Sequence, residues 1–154
     1  MKNEHLENLL KDEYLLLQTA YEDFDRRSLL IKGWSITIVL GGIGIAFQQE
    51  SFSIMVLAGL ASILFWVMEA LWKFFQYCSG PRISEIEQYF RGEIEEIEPI
   101  QAYTKWFETF QSSDSYTKEI FSNMFLAPVL ITHAPSLVII GVLVVLHFFG
   151  IELW

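Results

Sequence analysis

The chain holds little of what catalysis is usually built from. Of its 154 residues one is cysteine, three are histidine and four are proline. A single thiol, Cys78, excludes an intrachain disulfide and a cysteine-rich metal site. It stands near Lys73 and Arg82, which would suit a thiolate, but an inert interfacial thiol needs no such activation. His5, His133 and His147 are too scattered in sequence to suggest a metal cluster. There is no glycine-rich phosphate loop, CxxC pair, HExxH helix or GxSxG elbow. No enzymatic activity, metal or cofactor is therefore expected. Basic residues are also scarce, ten Lys and Arg against nineteen Asp and Glu, for a net charge of −9. That balance disfavours nucleic-acid phosphates and charge-driven docking on anionic lipid, so no nucleic-acid partner is expected. EF-hand spacing is missing. The first 25 residues are charged and amphipathic without an early apolar block, so no cleavable signal is expected and the first apolar run would direct insertion.

What the chain has in quantity is hydrocarbon. Hydrophobic residues make up 53% and aromatics 16%. Two apolar runs, 29–47 and 52–75, are joined only by Gln48, Gln49, Glu50 and Ser51, and a third covers 126–154. About 20 helical residues cross roughly 30 Å of hydrocarbon. The expectation is an all-α integral membrane protein with three transmembrane helices, a tight hairpin plus a C-terminal span, and amphipathic cytoplasmic helices. Four segments follow: an amphipathic helix over 1–27, the hairpin over 28–78, an acidic helical region over 79–124, and a proline-interrupted apolar segment over 125–154. Arg26, Arg27 and Lys32 flank the first run and Lys73, Arg82 and Arg91 follow the second, whereas the hairpin turn and 150–154 carry no Lys or Arg. By the positive-inside rule the N-terminus and middle region are cytoplasmic, in a multi-pass protein of the inner membrane.

Within 4–27, Leu6, Leu10, Tyr14, Leu17, Tyr21 and Phe24 recur at helical spacing, with Glu7, Lys11, Asp12, Glu13 and Glu22 on other faces. This stripe suits either a protein partner or the chain's own cytoplasmic segments. Gly42 and Ala46, and Ala58 and Ser62, make smooth strips for close helix packing, within the hairpin or between subunits. Glu69 and Lys73 stand four apart at the end of the second run and read as an i,i+4 pair. The pair either snorkels to the headgroups or lines a polar path.

After Ser79, Gly80 and Pro81, the residues Ile83, Ile86, Phe90, Ile94 and Ile97 keep helical spacing among many Glu, with Gly92 and Pro99 as dividers. Tyr103, Trp106, Phe107 and Phe110 mark an aromatic face on a further helix, and Ser112, Ser113 and Asp114 a loop ending in an N-cap. Pro135 is placed to open the third span. Residues 121–132 would then be a re-entrant or interfacial segment, with His133 at the break, either capping freed backbone or lining a pathway.

The layout of amphipathic helix, tight two-span hairpin and further cytoplasmic helix, carried by 6–24, 29–75 and 82–110, resembles the SLATT group of small bacterial membrane proteins. The resemblance implies a membrane-disrupting or pore-forming effector in antiphage defence. With it the expected function is a homo-oligomeric pore in the lipid bilayer, with Glu69, Lys73, His133 and Pro135 as pore or gating residues and Gly42, Ala46, Ala58 and Ser62 as packing residues. The alternative is a non-conducting anchor that recruits a cytoplasmic protein through Tyr14, Leu17, Tyr21, Phe24, Trp106 and Phe107. An intramembrane enzyme would require Glu69 and His133 to meet in one wet pocket.

Overall fold

A computed structural model describes residues 2–112 and 116–151. The fold is all-helical, with no strand among the described residues: α1 (Lys2–Gln48), α2 (Phe52–Tyr77), α3 (Gly80–Phe90), α4 (Ala102–Ser112), α5 (Tyr116–Met124) and α6 (Ala127–Phe148). Helices α1, α2 and α6 are each long and apolar enough to cross a membrane.

Helix α1 joins what the sequence suggests are two segments, the amphipathic stretch and the first apolar run. No glycine or proline precedes Gly33, so nothing interrupts the backbone ladder at residues 25–28. Its buried residues Leu10, Glu13, Leu17, Ser28, Ser35, Val39 and Ala46 keep to steps of three, four, seven or eleven, one stripe along the whole helix. The helix ends in a left-handed cap. Glu50 has φ 49°, and the Ser51 and Glu50 amides donate to the carbonyls of Ala46 and Phe47 at 2.9 and 3.4 Å.

The same device ends α3 and α6, with glycine in the left-handed position. Gly92 has φ 73°, and the Glu93 and Gly92 amides reach Gln88 and Tyr89, each at 2.9 Å. The stop falls at Gly92, one of the two dividers expected, and it leaves Ile94 and Ile97 outside the helix whose spacing they keep. Both lie past the cap, in the 91–101 connection. Helix α6 starts earlier than expected. Leu126 is extended, and Pro128 rather than Pro135 occupies the first turn, so Pro135 is interior and the helix runs through it. No re-entrant break separates 127–134 from the third apolar helix. The expected loop and N-cap at Ser113 and Asp114 lie outside the described residues.

The chain divides into two units, Met1–Arg27 with Trp72–Glu119, and Ser28–Leu71 with Ile120–Trp154. The first packs Leu10, Leu17 and Ile86 with Leu6, Tyr14, Ile83, Tyr89, Ile97 and Ala102. An aromatic group, Phe74, Phe75, Trp106, Phe110 and Tyr116, adds to it, with ring centroids 4.9 to 6.1 Å apart. The second unit packs Val39, Ala58 and Ile140, flanked by Ile43 and Val144. Leu29, Trp34, Leu40, Leu57, Leu64, Val138 and Val142 point outward and are exposed, a surface compatible with lipid.

Candidate functional site

The membrane-type unit has a polar interior at one end of its apolar helices. Helix α1 places Ser28, Lys32 and Ser35 on one face by steps of four and three, α2 contributes Glu69, and α6 contributes His133. Glu69 Oε1 accepts a hydrogen bond from Ser28 Oγ at 2.9 Å and lies 3.2 Å from Lys32 Nζ. Glu69 Oε2 lies 2.9 Å from His133 Nε2, and His133 Nδ1 lies 3.3 Å from Ser35 Oγ. Glu69 and His133 have no solvent exposure, while Lys32 keeps 20% of its side chain exposed. These distances accommodate a neutral imidazole that donates from Nε2 to the carboxylate and accepts the Ser35 hydroxyl at Nδ1, as they would an imidazolium that donates from both ring nitrogens. With the imidazole neutral the cluster holds one carboxylate and one ammonium, and its net charge is zero.

Neighbouring side chains fix the pair in place. The Trp66 ring lies nearly parallel to His133, 19° between planes with centroids 6.4 Å apart, and its indole N–H donates to the Met124 carbonyl at 2.9 Å. Asn123 Nδ2 donates to the Ala70 carbonyl at 3.5 Å. Farther along α1 and α2 the interior becomes apolar and tight. A Cβ built on Gly42 would lie 2.9 Å from Ala58 Cβ, and one on Gly59 would lie 3.2 Å from Ile140 Cγ2. Ser62 Oγ is buried there without a hydrogen-bond partner.

The structure brings Glu69 and His133 together. The expected Glu69–Lys73 pair does not form: Lys73 Nζ donates to Asp25 Oδ1 at 2.6 Å and to Gln76 Oε1 at 2.8 Å. Lys32 takes its place at Glu69 because it projects from the same face of α1 as Ser28 and Ser35. Nor does His133 cap broken backbone, since α6 is unbroken there. Pro135 is exposed on α6 and makes none of the cluster's bonds. Gly42, Ala46, Ala58 and Ser62 all turn into the unit's own interior, with Ala46, Ala58 and Ser62 buried.

Most of the expected partner-binding residues are occupied within the first unit. Leu17 is core, Tyr14 Oη donates to Glu87 Oε1 at 3.0 Å, and the Tyr21 carbonyl accepts from Gln76. Phe24 packs on Trp72, and the Trp106 indole donates to the Phe75 carbonyl at 3.0 Å. Phe107 stacks on Tyr103 and Phe110 and stays 39% exposed.

That unit also holds a buried ion pair at Glu13, which was expected on a face other than the apolar stripe. Arg82 Nε and Nη2 donate to the two Glu13 oxygens at 2.9 and 2.8 Å, and Nη2 also reaches the Glu98 carbonyl at 2.7 Å. The Ile100 and Gln101 amides, opening α4, donate to the same carboxylate at 2.8 and 3.0 Å. Glu13 precedes the apolar run. Burial pushes its carboxyl up, but the Arg82 hydrogen bond, the Ile100 amide, the Arg82 charge and the Gln101 amide together hold it below the usual value. Cys78 is buried, and burial followed by the nearby Glu119 charge pushes its thiol up to about 11, which fits an inert role.

Two signals for the missed residues were present in the sequence. Ser28, Lys32 and Ser35 are the polar members of an otherwise apolar stripe, and Glu13 lies three from Leu10 and four from Leu17. No protein-family model, curated protein or solved structure matches this chain.

Proposed function

We propose that this protein is a small multi-pass membrane effector that permeabilises its bilayer as a homo-oligomer, its basic end on the cytoplasmic face. The observation that carries the reading is the Glu69–His133–Lys32 cluster. Ionisable groups cost several kcal/mol within a bilayer, roughly 2.5–3.5 each for Asp, Lys or Arg on insertion scales, and mark polar paths when they occur there. Here one carboxylate, one imidazole and one ammonium join all three apolar helices. Val39, Ala58 and Ile140 pack together away from the cluster, so the polar groups of one chain do not by themselves span the unit. Conduction therefore requires the helices to part, or several copies to pool their polar faces. Small size, outward apolar faces and the resemblance to the SLATT group support an effector, and that resemblance is the reason for placing it in antiphage defence.

Reconstitution of the full chain in dye-loaded vesicles tests the reading. Leak that rises with protein density and falls in Glu69→Gln is expected. Sealed vesicles and silent bilayers, with inserted and folded protein, would overturn it.

A second reading, a non-conducting anchor for a cytoplasmic protein, draws on the exposed Ile100, Tyr103 and Phe107 at α4. A stoichiometric partner in mild detergent, lost on Tyr103→Ser with Phe107→Ser and accompanied by no conductance, would favour it.

A further inference from the structure

The cluster's charge balance suggests what opens it. Among the described residues Glu69 is the one carboxylate bonded to the group, and it is already matched by Lys32 at 3.2 Å while accepting from Ser28 at 2.9 Å. The groups facing His133 are Glu69 and Trp66 from α2 and Ser35 from α1, with Lys32 and Ser28 at the far oxygen of Glu69. Nearby α5 contributes neutral groups, the Met124 carbonyl and the Asn123 amide. A proton taken from solvent by His133 Nδ1 raises the cluster from zero to one positive charge. Among the described residues no second carboxylate bonds to it, and Glu69 and His133 are themselves fully buried, Lys32 alone of the three keeping some exposure. The new N–H also needs an acceptor, so Ser35 must turn from donor to acceptor. Buried uncompensated charge is the costliest state such a joint can hold.

We infer that His133 is a proton-binding latch: in its neutral form it holds α6 on the hairpin, and protonation at Nδ1 lets α6 separate from α1 and α2. This rests on the reading of the unit as an effector that opens, and it names the proton as the ligand that opens it. Thermodynamic reciprocity sets the direction, because a state that accepts the charge more readily is favoured as protons are added.

Spin labels on two outward positions, Leu64→Cys on α2 and Val138→Cys on α6, with Cys78→Ser to remove the native thiol, report the separation directly. Distances are measured in vesicles equilibrated on both sides at about pH 8 and then about pH 5, spanning the range in which histidine changes charge. The label distance should shift outward on acidification and return on neutralisation. His133→Gln, which keeps a donor toward Glu69 but gains no charge, should hold its distance. Lys32→Met supplies a second, independent check. With the competing ammonium gone, a protonated His133 is matched by Glu69, so acid should draw the labels together.

An unchanged or inward shift in the parent overturns the latch. So does an equal outward shift in His133→Gln, or further separation in Lys32→Met. Dye leak from the same vesicles separates the two ideas. Reversible separation without leak sustains the latch and defeats the effector reading, whereas leak without separation does the reverse.

Discussion

Glu69 Oε2 lies 2.9 Å from His133 Nε2, 64 positions away in sequence, and neither side chain reaches solvent. Through this contact the third apolar helix is tied to the hairpin by an ionisable pair as well as by Val39, Ala58 and Ile140. Apolar packing between helices in lipid has little specificity, because hydrocarbon tails are as apolar as leucine. The polar joint therefore determines the register in which α6 meets α1 and α2.

Removing the carboxylate should expose that dependence. Glu69→Ala leaves Lys32 without its counter-charge and Ser28 and His133 without an acceptor. The expected loss is about 3–5 kcal/mol, the usual result of breaking a buried pair on one side. Glu69→Gln keeps the acceptor oxygen and should cost less, about 1–3 kcal/mol. Reversible unfolding of the full chain in mixed micelles, followed by helical circular dichroism, ranks the two. Equal costs would assign the effect to packing instead of charge.

The hairpin makes a second, purely steric prediction. Gly42→Ala puts a methyl 2.9 Å from Ala58 Cβ on the facing helix, where neither backbone can yield cheaply. Overpacking of this kind costs about 1–3 kcal/mol. Gly41, one residue away, has nothing within 4 Å of the corresponding position. Gly41→Ala should gain up to about 1 kcal/mol from helix propensity alone. Opposite signs for adjacent glycines, measured by the same unfolding assay, would place the contact at Gly42.

The turn carries a strained residue. Glu50 occupies a left-handed conformation, φ 49°, that glycine adopts without penalty, and its side chain is exposed. Gly92 and Gly150 fill the equivalent positions after α3 and α6. Glu50→Gly should therefore stabilise the hairpin by roughly 0.5–1 kcal/mol, as relief of an αL side chain usually does. A loss of stability on the same measurement would mean that the Glu50 side chain serves the turn in some other way.

Composition and run length alone establish the three long apolar helices and the four-residue polar link, because hydrocarbon thickness sets the length and the backbone must satisfy its own hydrogen bonds. Partner choice was less legible. Glu69 and Lys73 satisfy the i,i+4 rule, but that rule records only which groups can meet on one helix. It cannot weigh Lys32, arriving from α1, or Asp25, which takes Lys73 instead. The start of α6 was ambiguous for a different reason. Pro128 and Pro135 are seven apart and both suit a first helical turn, and the extended Leu126 decides between them. Glu13 looked like its neighbour Asp12, one more acid on a helix of mixed charge. Its position between Leu10 and Leu17 outweighs its chemistry, and Arg82 compensates the burial.

That compensation yields a test in the first unit. Arg82→Ala leaves Glu13 buried with only the Ile100 and Gln101 amides, and should cost about 3–5 kcal/mol. Arg82→Lys should recover only part of this, since an ammonium cannot span both Glu13 oxygens as the guanidinium does. Trp106 fluorescence during unfolding, in a variant retaining that tryptophan alone, follows this unit. If Arg82→Lys matched the parent, the two-pronged contact would carry no weight.

Acid should act on the same pair in a definite direction. Burial raises the Glu13 carboxyl, but the Arg82 hydrogen bond, the Ile100 amide, the Arg82 charge and the Gln101 amide outweigh it, so the folded value lies below 4.5. A group whose folded value is depressed contributes stability above its unfolded value and loses it as pH falls through the folded one. The contribution should thus be constant from neutrality down to about pH 5 and decline below about pH 4.5, the range where unperturbed glutamates begin to bind protons. Many other carboxylates titrate there, so the informative quantity is the difference between the parent and Glu13→Gln, which should shrink as pH drops. The sole-Trp106 signal separates this loss from any change at His133, which belongs to the other unit. A parent–variant difference that stayed constant through pH 4 would mean that Glu13 stabilises the fold through packing and not through its charge.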